Sequence, residues 1–274
     1  MPRVQVRLLR TFDEFRACED IQKEVWGTQA VGSELMGVTQ KYGGVVLGAL
    51  VGNKVVGFIY ALLARRHRRL IHWSHMMAVR ESFRDRGLGL RLKLAHRRLA
   101  LAQGLRSICW TYDPLQSRNA SLNLVRLGVE VEEYIPDCYG RFPSLIEKGL
   151  PSDRFVVNWR IASAMVQRHL AKGAPPAKAI AGLPRANETR FGSDGLLENT
   201  RLHLGLRTPR LLIEIPSHTD TMRSQALKLA IRWRQETRQL FQHYLAAGYR
   251  VTGFVPPSSA TAGKCFYVLR CRKR

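Results

Sequence analysis

"MMAVRESFRDRGLGLRLKLAHRRLALAQG", residues 76–104, is the stretch from which the rest of this chain is best read. A short apolar run ends at Val79, an arginine-rich turn follows, and Gly87 and Gly89 stand where a new period begins. From there Leu88, Leu92, Ala95, Leu99 and Ala102 recur every three or four residues, with Arg91, Arg97 and Arg98 elsewhere on the wheel. That spacing predicts an amphipathic helix closing near Gly104. "LIHWSHMMAV" (70–79) before the turn reads as a strand. A strand, a glycine turn and a helix N-terminus together make an anion-binding device. The first helical N–H groups lack intrahelical partners, the dipole is positive there, and glycine lets a ligand approach the backbone. Two familiar forms are excluded. A P-loop ends in Gly-Lys-Ser/Thr, but Leu90 and Arg91 follow Gly89; a dinucleotide fingerprint needs a third glycine at position 92, which is Leu.

Working outward, "VQVRLLR" (4–10) reads as a strand, and Thr11 caps a helix running to Gly27. "SELMGVTQKYG" is a second short helix. "GVVLGALVGNKVVGFIYALL" (44–63) is as long as a membrane span. Gly52, Asn53 and Lys54 break it, however, and both halves are β-branched, so two strands near 44–51 and 55–64 are expected, followed by a basic loop "RRHRR" (65–69). "SICWTYD" (107–113) is a strand, "NASLNLVRLG" (119–128) a helix, and "EVEEYI" (130–135) and "RFVVNWRI" (154–161) are strands. Residues 168–205 are rich in Gly, Pro and Ala without a sustained period, which predicts a linker or irregular crossing segment. A strand (210–216), a long helix (about 220–246) and the strands "YRVTGFV" and "CFYVLRC" complete the chain. "LGVEVEEYIPD" (127–137) echoes "AGYRVTGFVPP" (247–257), so the order strand, helix, Gly-led strand, strand occurs twice.

Arg84-x-x-Gly87-x-Gly89 directly after a strand ending "AVRESF" resembles the coenzyme A site of the GNAT acyltransferase superfamily, and "NASLNLVRLGVE" resembles the segment that packs beside the cofactor in that family. The resemblance runs from residue 3 to about 161, with similarity to a bacterial subgroup that carries an added C-terminal part. It implies an α/β (α+β) fold with a mixed, mostly antiparallel sheet flanked by helices, plus a C-terminal α/β half-domain. It implies that the turn amides hold the pyrophosphate, that the preceding strand splays from its neighbour, and that pantetheine lies in the gap. Met77, Ala78, Val79, Arg84, Asp85, Arg86, Gly87, Leu88, Gly89, Leu90 and Asn119 are then the expected coenzyme contacts. One position departs: many members place a tyrosine, acid for the leaving thiolate, where this chain has Leu124. The expected divisions are a GNAT domain over 1–165, a linker over 166–205, and a half-domain over 206–274 packed on the first.

The composition agrees with anion binding. The chain has 274 residues, 45% of them hydrophobic, and 44 Lys+Arg against 21 Asp+Glu give a formal charge of +23. Such a field attracts nucleic acid, phosphorylated cofactors or acidic surfaces. Five scattered cysteines without a C-x-x-C pair argue against a zinc or disulfide framework and for a reducing cytoplasm. No metal is expected, and the N-terminus has no apolar signal core.

Acyl transfer to an amine needs a base for the ammonium proton, donors for the thioester carbonyl and a proton for sulfur. His75, Asp113 and Tyr139 are the candidates. Strand alternation puts His75 on one face with Met77 and Val79, and His72 on the other with Ser74 and Met76. Asp113 ends a strand, and Tyr139 could replace the absent tyrosine. The expectation is an acyl-CoA-dependent N-acyltransferase, with acetyl-CoA as donor and a small-molecule or peptide amine as acceptor. The rival is a non-catalytic fold of the same kind that binds coenzyme A, nucleic acid or an acidic partner.

Overall fold

The computed structural model of the chain describes residues 4–27, 31–140, 149–172, 180, 182–258, 261 and 264–272. It forms two compact units. The first holds the described residues up to Trp110 together with Asn158–Ser163; the second holds Thr111 to 140, 149 to Val157, and the described residues from Ala164 onward. The chain changes unit inside two strands, so these boundaries differ from divisions at 165 and 205.

The first unit contains β1 (Val4–Leu8), α1 (Phe12–Trp26), α2 (Ser33–Lys41), β2 (Val45–Val51), β3 (Lys54–Arg66), β4 (Arg69–Val79), α3 (Leu88–Ala102) and the start of β5 (Ile108–Tyr112). Its strands lie in the order β1-β2-β3-β4-β5, antiparallel except for β4 with β5. A capping box starts α1: the Thr11 hydroxyl accepts from the Glu14 N–H while the Glu14 carboxylate accepts from the Thr11 N–H. Phe15, Cys18 and Ile21 of α1 and Met36 of α2 pack on one sheet face, against Val46, Phe58 and Tyr60. Leu88, Leu92 and Ala95 of α3 pack on the other, against Val45, Leu47, Ala49, Val56, Ile59 and Ala61. With both faces covered, β2 and β3 carry no polar alternation, which is why 44–63 imitates a membrane span. No helix among the described residues is long and apolar enough to cross a membrane.

The second unit contains the end of β5, α4 (Ser117–Ala120) running into a π-helical segment Ser121–Arg126, β6 (Val131–Ile135), β7 (Arg154–Trp159, its last two residues in the first unit), α5 (Ala164–Lys172), β8 (Asn187–Phe191), β9 (Leu197–Leu202), β10 (Arg210–Ile215), α6 (Thr219–Gln225), α7 (Leu227–Ala246), β11 (Tyr249–Val255) and β12 (Cys265–Cys271). Its strands lie in the order β7-β6-β11-β12-β10. Within 166–205, residues 173–179 and 181 lie outside the described residues, but the rest corrects the expectation of a linker. Most of α5 falls there, and β8 and β9 form an antiparallel hairpin. The hairpin shows no apolar period because its inward positions are partly polar: Asn187 and Asn199 are buried and hydrogen-bonded to each other at 2.7 Å. The long helix expected after residue 220 is broken at Ala226 into α6 and α7.

The sequence echo has a counterpart in space. Gly128 and Gly248, both at positive φ, lead into β6 and β11, and each of these strands pairs with the next one, β7 or β12. β6 and β11 meet antiparallel at Val131 and Val251, which are equivalent positions in the echo. Antiparallel pairing of equivalent residues is what a local two-fold relation between the two halves requires.

Candidate active site at the glycine turn

β4 ends at Val79, and the Arg80 N–H donates to the Val56 carbonyl at 2.9 Å, anchoring the start of the turn. Asp85 (φ 59) and Gly87 (φ 72) are both left-handed, and the chain then enters α3. Gly87 is the N-cap, so no side chain caps the helix, and no acidic residue stands in its first turn. A Cβ added at Gly87 would meet no protein atom within 4 Å. The first-turn amides, positive through both orphan N–H groups and dipole, therefore border open space. Leu88 is buried and fixes the helix start, while Gly89 and Leu90 are half-buried. Arg84 Nε donates to the Val79 carbonyl at 3.1 Å, and the Arg86 guanidinium lies 5.3 Å from the centre of the Phe83 ring. The residues before and within the turn thus fit a bound pyrophosphate: bare amides, an open glycine and flanking guanidinium groups.

β4 and β5 pair in parallel only at His72 with Ile108 and Trp73 with Cys109. β4 stays paired with β3 through Val79, whereas its ladder with β5 is confined to His72 and Trp73. Met77 and Val79 pack toward α3, and Ala78 is buried toward α1 and α2.

A bulge reverses the expected facing of the histidines. The β3–β4 register slips between Tyr60 and Ala61, which pair with Met76 and Ser74, leaving His75 as the extra residue. His72 and Ser74 face α3, as Met77 and Val79 do beyond the bulge, whereas Met76 and Ala78 face α1 and α2. His75 therefore does not share a face with Met77 and Val79. It is exposed, and its ring meets the edge of Tyr60 with centroids 6.1 Å apart. Although it reaches solvent, the strands around it strip enough water to lower its pKa, favouring the neutral imidazole.

Beneath β4 lies a polar cluster that the sequence reading missed. Lys93 of α3 is 2% exposed, donates to Ser74 Oγ at 3.1 Å, and holds its ammonium 3.6 Å from the centre of the Trp110 ring. Burial pulls its pKa down to about 7. His72 Nε2 is 3.0 Å from the Gly43 carbonyl and its Nδ1 is 3.0 Å from His96 Nε2, so His72 donates to the carbonyl and accepts from His96. Burial, with the nearby Lys93 charge, pushes His96 well down as well. Lys93 and His96 each follow a residue of the apolar stripe by one position, Leu92 and Ala95. A buried face wider than one stripe was the available signal.

Asp113 is corrected. Arg234 of α7 grips it with two hydrogen bonds, 2.7 and 2.6 Å, and both side chains are largely buried. Burial opposes its charge, but Arg234 overrides this and holds the carboxyl below the usual range. A carboxylate so paired is not a free base. Tyr139, also in the second unit, is exposed; its hydroxyl is 2.8 Å from Thr111 Oγ1 and its ring carries the Arg154 guanidinium at 5.1 Å. Asn119 lies exposed on α4 in that unit, and Leu124 is buried there.

Residues 9–129 match the sequence profile of the Acetyltransferase (GNAT) family. Similar solved structures include an acetyltransferase of the GNAT family from Streptococcus pneumoniae (17% identity, 57% of this chain and 98% of that one, TM-score 0.46). Others are Arabidopsis thaliana NAA60 in complex with acetyl-CoA (12%, 58% and 99%, 0.48) and the Escherichia coli ribosomal-protein-S18-alanine N-acetyltransferase (13%, 59% and 96%, 0.46). No curated protein matches. The segment 9–129, which holds β4, the glycine turn and α3, belongs to the GNAT acetyltransferase family.

Proposed function

We propose that this chain is an acyl-CoA-dependent N-acyltransferase, with acetyl-CoA as the donor and a primary amine as the acceptor. The observation that carries this reading is the uncapped N-terminus of α3, opened by left-handed Gly87, in the turn that follows β4. Diphosphate binds the first-turn amides between Arg84 and Arg86. The pantetheine arm follows the edge of β4 along Met77, Ala78 and Val79, beyond its last pair with β5, where strand N–H groups polarise the thioester carbonyl. The amine attacks that carbon, the C–N bond forms and the C–S bond breaks. His75, exposed at the bulge and neutral, takes the ammonium proton. Leu124 has no proton to give, and Lys93, with a pKa of about 7 beside Ser74, supplies one to the departing thiolate. The same reading takes the reaction to be cytoplasmic, in keeping with the scattered, unpaired cysteines.

Calorimetry with coenzyme A tests the reading first, and thiol release from acetyl-CoA across an amine library tests turnover. Gly87→Asp keeps a residue that tolerates the left-handed conformation but sets a carboxylate over the turn. It is expected to weaken coenzyme A binding by about a hundredfold, roughly 2.7 kcal/mol, with unchanged thermal unfolding. Full affinity in this variant would remove the turn from the site. His75→Ala is expected to lower turnover by roughly 10²-fold or more and to erase the acid limb of the rate profile. That limb lies below the ordinary histidine value because the His75 pKa is lowered. A variant that keeps the limb would acquit His75.

A further inference from the structure

The β3–β4 hairpin runs past its neighbours. β2 reaches only to Ala61, where it pairs through Val45, and β5 reaches β4 only at His72 and Trp73. Three rungs, Ala64 with Ile71, Arg65 with Leu70 and Arg66 with Arg69, are free of both flanking strands, an arm of roughly 10 Å at ordinary strand rise. Its tip is a two-residue turn, His67 (φ 44) and Arg68 (φ 63), both left-handed. Such turns are normally built from Asn-Gly, Asp-Gly or Gly-Gly, which adopt the conformation at least cost. Here the strained positions carry a histidine and an arginine, and stored strain of this kind is a mark of function. Five consecutive residues, 65–69, are basic. Arg65, Arg68 and Arg69 are exposed and have no carboxylate partner among the described residues. Arg106, also exposed, precedes Ser107, whose carbonyl accepts from the His72 N–H at the root of the arm.

We infer that this arm is a docking element for duplex DNA, entering the major groove with its arginines on the flanking phosphates. Arginine rather than lysine suits phosphate through its planar fork of donors. A two-stranded ribbon fits the B-form major groove, whereas the A-form groove of duplex RNA is too narrow for side chains to read. The chain charge of +23 supplies the long-range attraction. The inference does not depend on acyl transfer, since none of these residues belongs to the glycine turn.

The test uses the full chain and a labelled mixed-sequence DNA duplex of about 20 base pairs, with affinity measured between 50 and 200 mM salt. Duplex RNA of the same sequence and phosphatidylserine vesicles run beside it. The variant Arg65→Ser/Arg68→Ser/Arg69→Ser removes side chains without partners. The control Arg201→Ser/Arg207→Ser/Arg210→Ser makes the same charge change at exposed positions of the second unit. The wild type is expected to bind DNA with a steep salt dependence. The arm variant should bind at least about tenfold more weakly and lose roughly two to three units of the log–log salt slope, with unfolding unchanged. The control should lose far less. Absence of DNA binding by the wild type, equal losses in both triple variants, or tighter binding to RNA or vesicles would each overturn the proposal.

Discussion

Asp113→Ala is expected to destabilise the protein by about 3–5 kcal/mol, because it strands a guanidinium in the interior. The Arg234 side chain is 1% exposed and gives two of its nitrogens to Asp113; its Nε has no partner among the described residues. Arg234→Met alone should cost a comparable amount by taking away the guanidinium, with the Leu115 N–H the hydrogen bond that remains to the carboxylate. The double variant Asp113→Leu/Arg234→Met should return most of the loss, since an apolar pair avoids desolvating two charges. The folded pKa of Asp113 is depressed. Its stabilisation is therefore present above the unfolded carboxylate value and is lost as pH falls through the folded one. Urea unfolding of the three variants at neutral pH decides the matter, and a cost below about 1 kcal/mol for Asp113→Ala would mean that water reaches Arg234.

Lys93→Met should do the reverse and stabilise the fold at neutral pH. A lysine pulled from 10.5 to about 7 has a charged form disfavoured by roughly 4–5 kcal/mol in the native state. Below pH 7 both folded and unfolded chains carry that proton, so the penalty is present in full. Between pH 7 and 10.5 the unfolded chain binds more protons, and stability rises with pH by up to about 1.4 kcal/mol per unit from this group. The methionine variant lacks this slope, so its advantage should be greatest near pH 7 and should shrink by pH 9. The Ser74 hydrogen bond and the Trp110 contact are lost in exchange, which leaves an expected gain of roughly 2–4 kcal/mol at pH 7. Turnover should fall at the same time, because a costly buried ammonium beside β4 is the kind of group that function retains. A variant less stable than wild type at pH 7 would show that Lys93 is not a buried charge there.

The parts of this molecule that were legible in the sequence are those set by near neighbours. The hairpin at Gly52–Asn53, the Thr11 cap and the turn at Gly87 announce themselves within a few residues. The uncapped N-terminus of α3 follows from them. What was not legible depends on partners distant in the chain. Alternation along β4 predicted the faces correctly until one extra residue, His75, reset the parity. Asp113 read as an available strand-end carboxylate because Arg234 stands 121 positions later. β8 and β9 stayed hidden because buried asparagines that satisfy each other look like loop residues. Lys93 escaped notice because a charged residue beside an apolar stripe normally points outward.

The antiparallel meeting of Val131 and Val251 has a consequence for how the second unit holds together. Its two halves are arranged as two copies across a symmetric seam would be, yet one chain supplies both. Association between separate copies weakens on dilution, whereas a tether converts it to an intramolecular step with an effective concentration that dilution does not change. A seam joined by a single paired position in its strand ladder can then persist at any protein concentration. It is also released from the rule that both sides must be alike. Arg250 of β11 forms an ion pair with Glu132 of β6, while the matching positions, Glu130 and Thr252, do not offer the same pair of charges. The covalent link lets each flank of the seam specialise, and the unequal halves stay together however dilute the protein is.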